Sequence, residues 1–175
     1  MTPLDAFDFD TFWEKSEYAD RKYVDQLLSA AALADVESEL GFKLPAAYVE
    51  LATHQNGGTP FRTLHGVSTP TSWARDHVAL TGIYSIGRAK PKSLCGTFGS
   101  RFWIEAWDYP AIGVYFADCP SAGHDMFCLD YRECGETGEP RVVHVDQERG
   151  FVITAVAPTF ESFVRGLRDE AAFGK

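Results

Sequence analysis

The sequence from Glu39 to Gly58, ELGFKLPAAYVELATHQNGG, decides how this fold begins. It predicts a helix that ends at Gly41, a second helix opened by Pro45, and a tight reversal before the first strand. Gly41 can adopt the left-handed conformation that closes a helix without a Cβ penalty. Pro45 suits the first helical turn, because its missing N–H has no partner to lose there. The run Asn56-Gly57-Gly58 tolerates the positive φ of a reversal.

Hydrophobic periodicity divides the rest of the chain into helices first and strands afterwards. A helix is expected from about Thr11 to about Tyr23, and Ser29 is a plausible cap for the next one. Further strands are predicted near residues 61–64, 78–86, 112–117, 126–131, 142–146 and 151–156. Thr159 is expected to cap a final helix. This order predicts an α+β fold: N-terminal helices, a curved, mostly antiparallel sheet of about five to six strands, and a C-terminal helix.

Composition narrows the classes of function. The 175 residues favour a single domain, and the net charge of −9 comes from 25 acidic and 16 basic residues. Such a chain repels phosphate backbones and has no basic stripe, so direct nucleic-acid binding is not expected. No apolar run approaches the roughly 20 residues of a membrane span. The acidic start lacks the basic segment of a signal peptide, so a cytoplasmic location is expected.

Motifs that carry chemistry are mostly missing from the sequence. There is no dinucleotide-binding, phosphate-binding, zinc-protease or nucleophile-elbow pattern. The spacing Cys119-x4-His124-x3-Cys128-x5-Cys134 lacks the paired C-x2-C of structural zinc sites, which favours free structural cysteines. We therefore predict no catalytic residue, no cofactor, no metal ligand and no enzyme activity.

Three weaker chemical alternatives remain open at the level of sequence. His144 and Asp146 share one face of a predicted strand, although a half-exposed strand histidine is the simpler interpretation. Cys95 could act as a nucleophile if a histidine and a carboxylate lay beside it. A pair of carboxylates drawn from the strand ends could serve a hydrolase.

The densest aromatic and acidic segment is Trp103-Ile-Glu-Ala-Trp-Asp-Tyr-Pro110. Its aromatic side chains suit either a core or a protein interface, where Trp and Tyr contribute most of the binding energy. If the segment is extended, Trp103, Glu105 and Trp107 share one face. The candidate partner contacts are Trp103, Glu105, Trp107, Asp108 and Asp118, together with the acidic N-terminus.

The pattern E-L-G-x-x-L-P-x-x-Y followed by N-G-G resembles the SUKH superfamily, the Smi/Knr-like cell-wall assembly regulators. Further segments agree in order: Trp-Asp-Tyr-Pro110, an apolar strand closed by Asp130, and a closing helix with two phenylalanines. The resemblance covers roughly residues 29–168 as a core, and residues 1–28 form an extension without a counterpart. The residues that carry it are Gly41, Leu44, Pro45, Tyr48, Asn56, Gly57, Gly58, Pro110, Asp130, Phe160 and Phe163.

The resemblance implies a non-catalytic protein-binding domain. Bacterial members resemble immunity proteins that neutralise a cognate polymorphic toxin, and fungal members resemble regulatory scaffolds of cell-wall signalling. We expect an immunity protein that binds a toxin domain directly, for which a basic, nuclease-like domain would suit the acidic chain. The alternative is a regulatory interaction module. Homodimerisation through an exposed edge strand is left open.

Overall fold

The computed structural model of the protein describes residues 1–174. The α-helices are α1 (Phe9–Phe12), α2 (Glu17–Lys22), α3 (Ala30–Leu40), α4 (Ala46–His54), α5 (Ser100–Trp107) and α6 (Phe160–Arg165). The strands are β1 (Trp13–Glu14), β2 (Thr59–Pro60), β3 (Leu64–Gly66), β4 (His77–Ala79), β5 (Gly82–Ile83), β6 (Gly113–Asp118), β7 (Asp125–Asp130), β8 (Arg141–Asp146) and β9 (Val152–Ala157). Short 3-10 turns occupy Gln147–Arg149 and Glu170–Phe173.

A five-stranded antiparallel sheet in the order β5-β6-β7-β8-β9 is the centre of the fold. Strands β6 and β7 are buried along their whole length, so both faces of the sheet are covered. Two small antiparallel pairs, β1 with β2 and β3 with β4, lie outside it. The predicted α+β class is confirmed, with helices before the sheet and α6 after it.

The stretch that opened the sequence analysis folds largely as expected. The Ser29 hydroxyl accepts a hydrogen bond from the Ala32 N–H at 3.1 Å and caps α3. Gly41 closes α3 in the left-handed region, with φ of 79°. Pro45 stands one position earlier than predicted, as the residue that precedes the first turn of α4. At the other end of the chain, the predicted Thr159 cap of α6 is confirmed by a reciprocal bond with Ser162.

The Asn56-Gly57-Gly58 reversal joins α4 to the sheet by side-chain bonds and by close packing. The Asn56 amide donates to the Gln26 and Ile86 carbonyls at 2.9 and 3.1 Å and accepts from the Ile86 N–H at 2.8 Å. Gly57 has a φ of 87°, and a Cβ there would lie 2.6 Å from the Tyr23 carbonyl oxygen. Only glycine allows the two backbones to approach so closely.

Two sequence predictions of secondary structure were wrong in their extent. The predicted helix from Thr11 to Tyr23 is split, because Trp13 and Glu14 leave the helical path to pair with β2. The strand predicted over residues 78–86 is divided into β4 and β5, which belong to different sheets. Tertiary pairing decides both cases, because local propensity is a weak prior against long-range contacts.

Residues 1–28 contact the rest of the protein at several points. The Leu4 N–H donates to the Glu50 carboxylate at 3.1 Å, and Asp25 forms a β-bridge with Asn56. Tyr23 is fully buried beneath the sheet. Within residues 1–174, no helix is both long enough and apolar enough to cross a membrane.

Candidate functional site

Residues 103–107 of the aromatic and acidic segment lie in the helix α5, so the extended form, in which Trp103, Glu105 and Trp107 would share a face, does not occur. Positions 103 and 107 are one turn apart and therefore share a face, whereas position 105 points elsewhere. The ring centroids of Trp103 and Trp107 lie 5.3 Å apart. Glu105 is separated from that face and instead approaches Arg101 at 3.8 Å. The four-residue spacing of the two tryptophans is the feature of the sequence that indicates this helix.

Trp103 serves as the inner anchor of the segment. Its side chain is 7% exposed, and its Nε1 donates to the Phe98 carbonyl at 3.0 Å and to the Tyr84 hydroxyl at 3.1 Å. A satisfied, buried indole of this kind fixes the position of α5 against the sheet. Trp103 can therefore meet a partner only through the ring edge that lines the cavity described below.

Asp118 is likewise held inside the protein. It is 5% exposed, accepts from the Tyr23 hydroxyl at 2.7 Å, and forms an ion pair with Lys92. Burial alone would lower the pKa of Lys92, but the adjacent Asp118 carboxylate more than offsets this and raises the pKa. We take the pair as ionised, because the carboxylate accepts from two side-chain donors. Asp118 is therefore placed as a structural residue at the cavity wall.

The exposed part of the segment surrounds a cavity of about 270 Å³. Its lining residues are Lys92, Phe98, Phe102, Trp103, Trp107, Asp118, Ala122 and Gly123. Phe98 is 39% exposed at the mouth, and its ring packs edge-on against Phe102 at 5.2 Å. We call these eight residues the aromatic surface. Phe98 and Phe102 were missed by sequence reasoning, although their spacing of four residues matches that of the two tryptophans.

Exposed acidic side chains occur on other faces of α5 and at its end, and Glu105 lines a separate cavity with Arg101 and Ile104. The Glu105 side chain is 69% exposed, and Asp108, which ends α5 in the left-handed region, is also exposed. The Trp107 ring contacts His124 edge-on at 5.7 Å, and the Glu148 carboxylate lies 2.8 Å from His124 Nδ1. An apolar centre with a charged, solvated rim is the usual composition of a protein-binding surface.

The residues that carried the family resemblance lie mostly in the framework and not on this surface. Tyr48 donates its hydroxyl to the Tyr84 carbonyl at 2.6 Å and stacks on Phe160 at 4.6 Å. Phe160 and Phe163 are fully buried. Leu44 donates its N–H to Glu37 at 2.6 Å, and Pro110 accepts from the Tyr115 hydroxyl at 2.7 Å. These contacts explain the motif as a requirement of folding.

Asp130 closes β7 and is surrounded by arginines. Arg132 Nε and Nη2 donate to its carboxylate at 2.9 and 2.8 Å, and Arg141 Nε donates at 3.0 Å. Burial favours the neutral form of Asp130, but these bonds more than offset it and lower the pKa from 3.8 to about 2. The site joins β7 to β8, and the arginines occupy the Asp130 carboxylate as a structural ion pair.

The nucleophile considered from sequence has no catalytic surroundings. Burial, followed by the nearby Glu39 carboxylate, raises the pKa of the Cys95 thiol to about 12. A thiol in this state stays protonated and is a weak nucleophile. The half-exposed interpretation of His144 was wrong, because its side chain is fully buried and its Nε2 lies 2.6 Å from Asp125 Oδ2.

Comparison with known proteins gives one positive result. A family model described as the SMI1 / KNR4 family (SUKH-1) matches residues 27–166. A search of curated protein sequences found no match. The matched range includes α3, α4, the five-stranded sheet, the aromatic surface and all of α6.

Proposed function

Because the chain belongs to the SMI1 / KNR4 family (SUKH-1), with residues 27–166 matched, we propose that it is a non-catalytic protein-binding domain. Its specific role in this proposal is that of a cytoplasmic immunity protein, which neutralises a cognate polymorphic toxin by direct binding. No cofactor or metal takes part in that role.

The observation that carries the proposal is the aromatic surface with its acidic rim. Phe98 and Trp107 offer apolar area that is already held rigid by packing, so little side-chain entropy is lost on binding. Asp108 follows Trp107 in the chain and is exposed, and Glu105 is exposed on a neighbouring face of the same helix. A basic toxin domain would be attracted by these carboxylates and by the net charge of −9, and then anchored by the aromatic rings.

The contact set proposed from sequence is narrowed by burial. Glu105, Trp107 and Asp108 remain as direct contacts, and Phe98 joins them. Trp103 and Asp118 support this surface from within. We also propose that residues 1–28 fold as part of the same single domain, because Tyr23 reaches Asp118 beneath the surface.

Co-expression with a toxin tests the function. The chain would be expressed together with a toxic C-terminal domain encoded beside its gene, and survival of the cells would be scored. Rescue of growth, with recovery of a one-to-one complex, supports immunity. A folded, well-expressed chain that neither rescues growth nor binds the toxin contradicts it and favours the regulatory module. Light scattering on the purified chain would test homodimerisation in the same preparation.

A further inference from the structure

A second group of side chains that could bind a ligand lies beside the connection between β6 and β7. Cys119 follows the last residue of β6, Asp125 begins β7, and His144 lies on β8. Cys119 is 3% exposed, Asp125 is 2% exposed and His144 is fully buried. One potential ligand atom from each, a sulfur, a carboxylate oxygen and an imidazole nitrogen, lies within 4.8 Å of the other two.

Sheet register explains why these three residues converge. In the β7–β8 pair, Asp125 stands opposite Asp146 and Phe127 stands opposite His144. Residues directly opposite each other and residues two apart on one strand project from the same face. Asp125 and His144 therefore face the same side, and the turn after β6 brings Cys119 to them.

The hydrogen bonds of the cluster leave two buried polar atoms without partners. Asp125 uses Oδ2 to contact His144 Nε2 at 2.6 Å, but its Oδ1 has no hydrogen-bond partner within the described chain. Nor has the His144 Nδ1 atom any partner there. A buried polar atom without a partner costs about 1–3 kcal/mol. The Ser121 hydroxyl and the Cys119 thiol are close enough to interact with the Asp125 carboxylate, but neither reaches Oδ1 with hydrogen-bond geometry.

We propose that Cys119, Asp125 and His144 form a binding site for a single Zn²⁺ ion. Thiolate, imidazole and carboxylate are the three protein ligand types of zinc, and their atoms lie roughly 3–4 Å apart around a tetrahedral ion. The spacing in this cluster requires only small side-chain shifts to reach that arrangement. Softness of the thiolate selects zinc over Mg²⁺ or Ca²⁺, which take oxygen ligands.

An entry path reaches the cluster from solvent. A cavity of about 390 Å³ opens beside Asp125. Its lining residues are Ser72, Trp73, Ser121, His124, Asp125 and Glu148. A fourth ligand, either water or a group from a bound molecule, would enter through this cavity. The site differs from the Cys119-His124-Cys128-Cys134 spacing seen in the sequence, because Cys128 projects from the opposite face of β7.

Zinc binding by this cluster should release a proton. Cysteine binds zinc as the thiolate, whereas the free sulfhydryl carries a proton. That proton must leave when zinc binds. Affinity should therefore increase as pH rises from 6 to 8, and proton release should accompany binding in weakly buffered solution.

Metal titration of the full chain tests the proposal. Protein stripped with a chelator would be titrated with Zn²⁺ against a chromophoric competitor and, separately, with Co²⁺. We expect one ion per chain, together with the strong visible bands of tetrahedral cobalt and a thiolate-to-cobalt charge-transfer band. Because loss of an outer-shell partner already costs about 10–100-fold in affinity, Cys119→Ser or His144→Gln should cost at least about 100-fold.

Matched variants separate this site from other metal binding. Cys128→Ser alters another fully buried thiol of the same sheet and should retain zinc and the charge-transfer band. His124→Ala removes an exposed imidazole at the cavity mouth and should also retain the ion, unless zinc is held at the surface. Less than one ion per chain in the unaltered protein, or cobalt without a thiolate band, would overturn the proposal even if the ligand variants failed to fold.

Discussion

The hydroxyl of Tyr23 donates a hydrogen bond to the Asp118 carboxylate at 2.7 Å, across 95 residues of sequence. Both side chains are buried, and Lys92 completes the charge balance of the carboxylate. The bond ties the N-terminal extension to the end of β6, at a residue that lines the cavity of the aromatic surface. It therefore joins a part of the chain with no counterpart in the family pattern to the proposed binding region.

Tyr23→Phe should destabilise the protein by about 1–3 kcal/mol, because Asp118 would lose a donor while remaining buried. Asp118→Asn should cost a similar amount by leaving Lys92 without its counter-charge. In the double variant the two losses should not add, with a coupling of about 0.5–3 kcal/mol. Urea unfolding of all four proteins measures this. Simple additivity would show that the bond does not link the extension to the sheet.

Two of the three glycines in the opening stretch, Gly41 and Gly57, should differ in their tolerance of alanine. Gly41 and Gly57 have similar φ values, 79° and 87°, but a Cβ at position 41 meets no atom within 4 Å. Gly41→Ala should cost only the strain of the left-handed region, about 1–2 kcal/mol. Gly57→Ala adds a collision with the Tyr23 carbonyl, worth a further 1–3 kcal/mol or so. Thermal and urea unfolding of the pair give the difference, and equal losses would argue against the close approach.

Asp130 should contribute to the acid sensitivity of the fold. Its pKa is lowered in the folded protein, so its stabilising effect is complete above the unfolded pKa of 3.8 and disappears as pH falls toward about 2. After allowance for solvent near the arginines, the effect should be about 1–2 kcal/mol. Asp130→Asn should show this loss at pH 7 and little further loss between pH 4 and 2. Asp20→Asn, at an exposed aspartate, provides the control in the same pH series.

Partner binding should depend on the exposed half of α5 and not on its buried anchor. Trp107→Ala combined with Glu105→Lys should weaken toxin binding at least about 30-fold, since a central tryptophan contributes 2 kcal/mol or more. The unfolding midpoint should change little, because Trp107 is only half-buried and Glu105 is exposed. Calorimetry with the cognate toxin gives the affinity.

The matched control for that experiment is Phe61→Ala combined with Glu133→Lys. Phe61 is an exposed aromatic residue outside the cavity, and Glu133 is an exposed acid in the turn after β7. If this control weakens binding as much as the α5 variant does, the aromatic surface is not the binding site. Normal binding by a folded α5 variant would lead to the same conclusion.

Sequence alone determined the order of helices and strands and the residues at which several of them begin or end. Ser29, Gly41 and Thr159 act within one helical turn of their own positions, where a cap or a left-handed residue satisfies local backbone groups. The strands β6 to β9 were predictable because each is a short apolar run bounded by turn residues. The family pattern was recognisable in the sequence, and Tyr48, Phe160 and Asp130 of that pattern are all buried in the fold.

Tertiary structure alone decided what lies together. Trp13 lies outside a helix because it pairs with β2. Residues 100–107 form the helix α5, whereas the sequence analysis considered an extended form of residues 103–107. In the sequence Asp118 was a candidate partner contact. In the fold it is buried and bonded to Tyr23 and Lys92. Cys119, Asp125 and His144 meet only through the register of three strands. Such contacts depend on how segments far apart in the sequence pack against each other. Local residue patterns do not encode that packing.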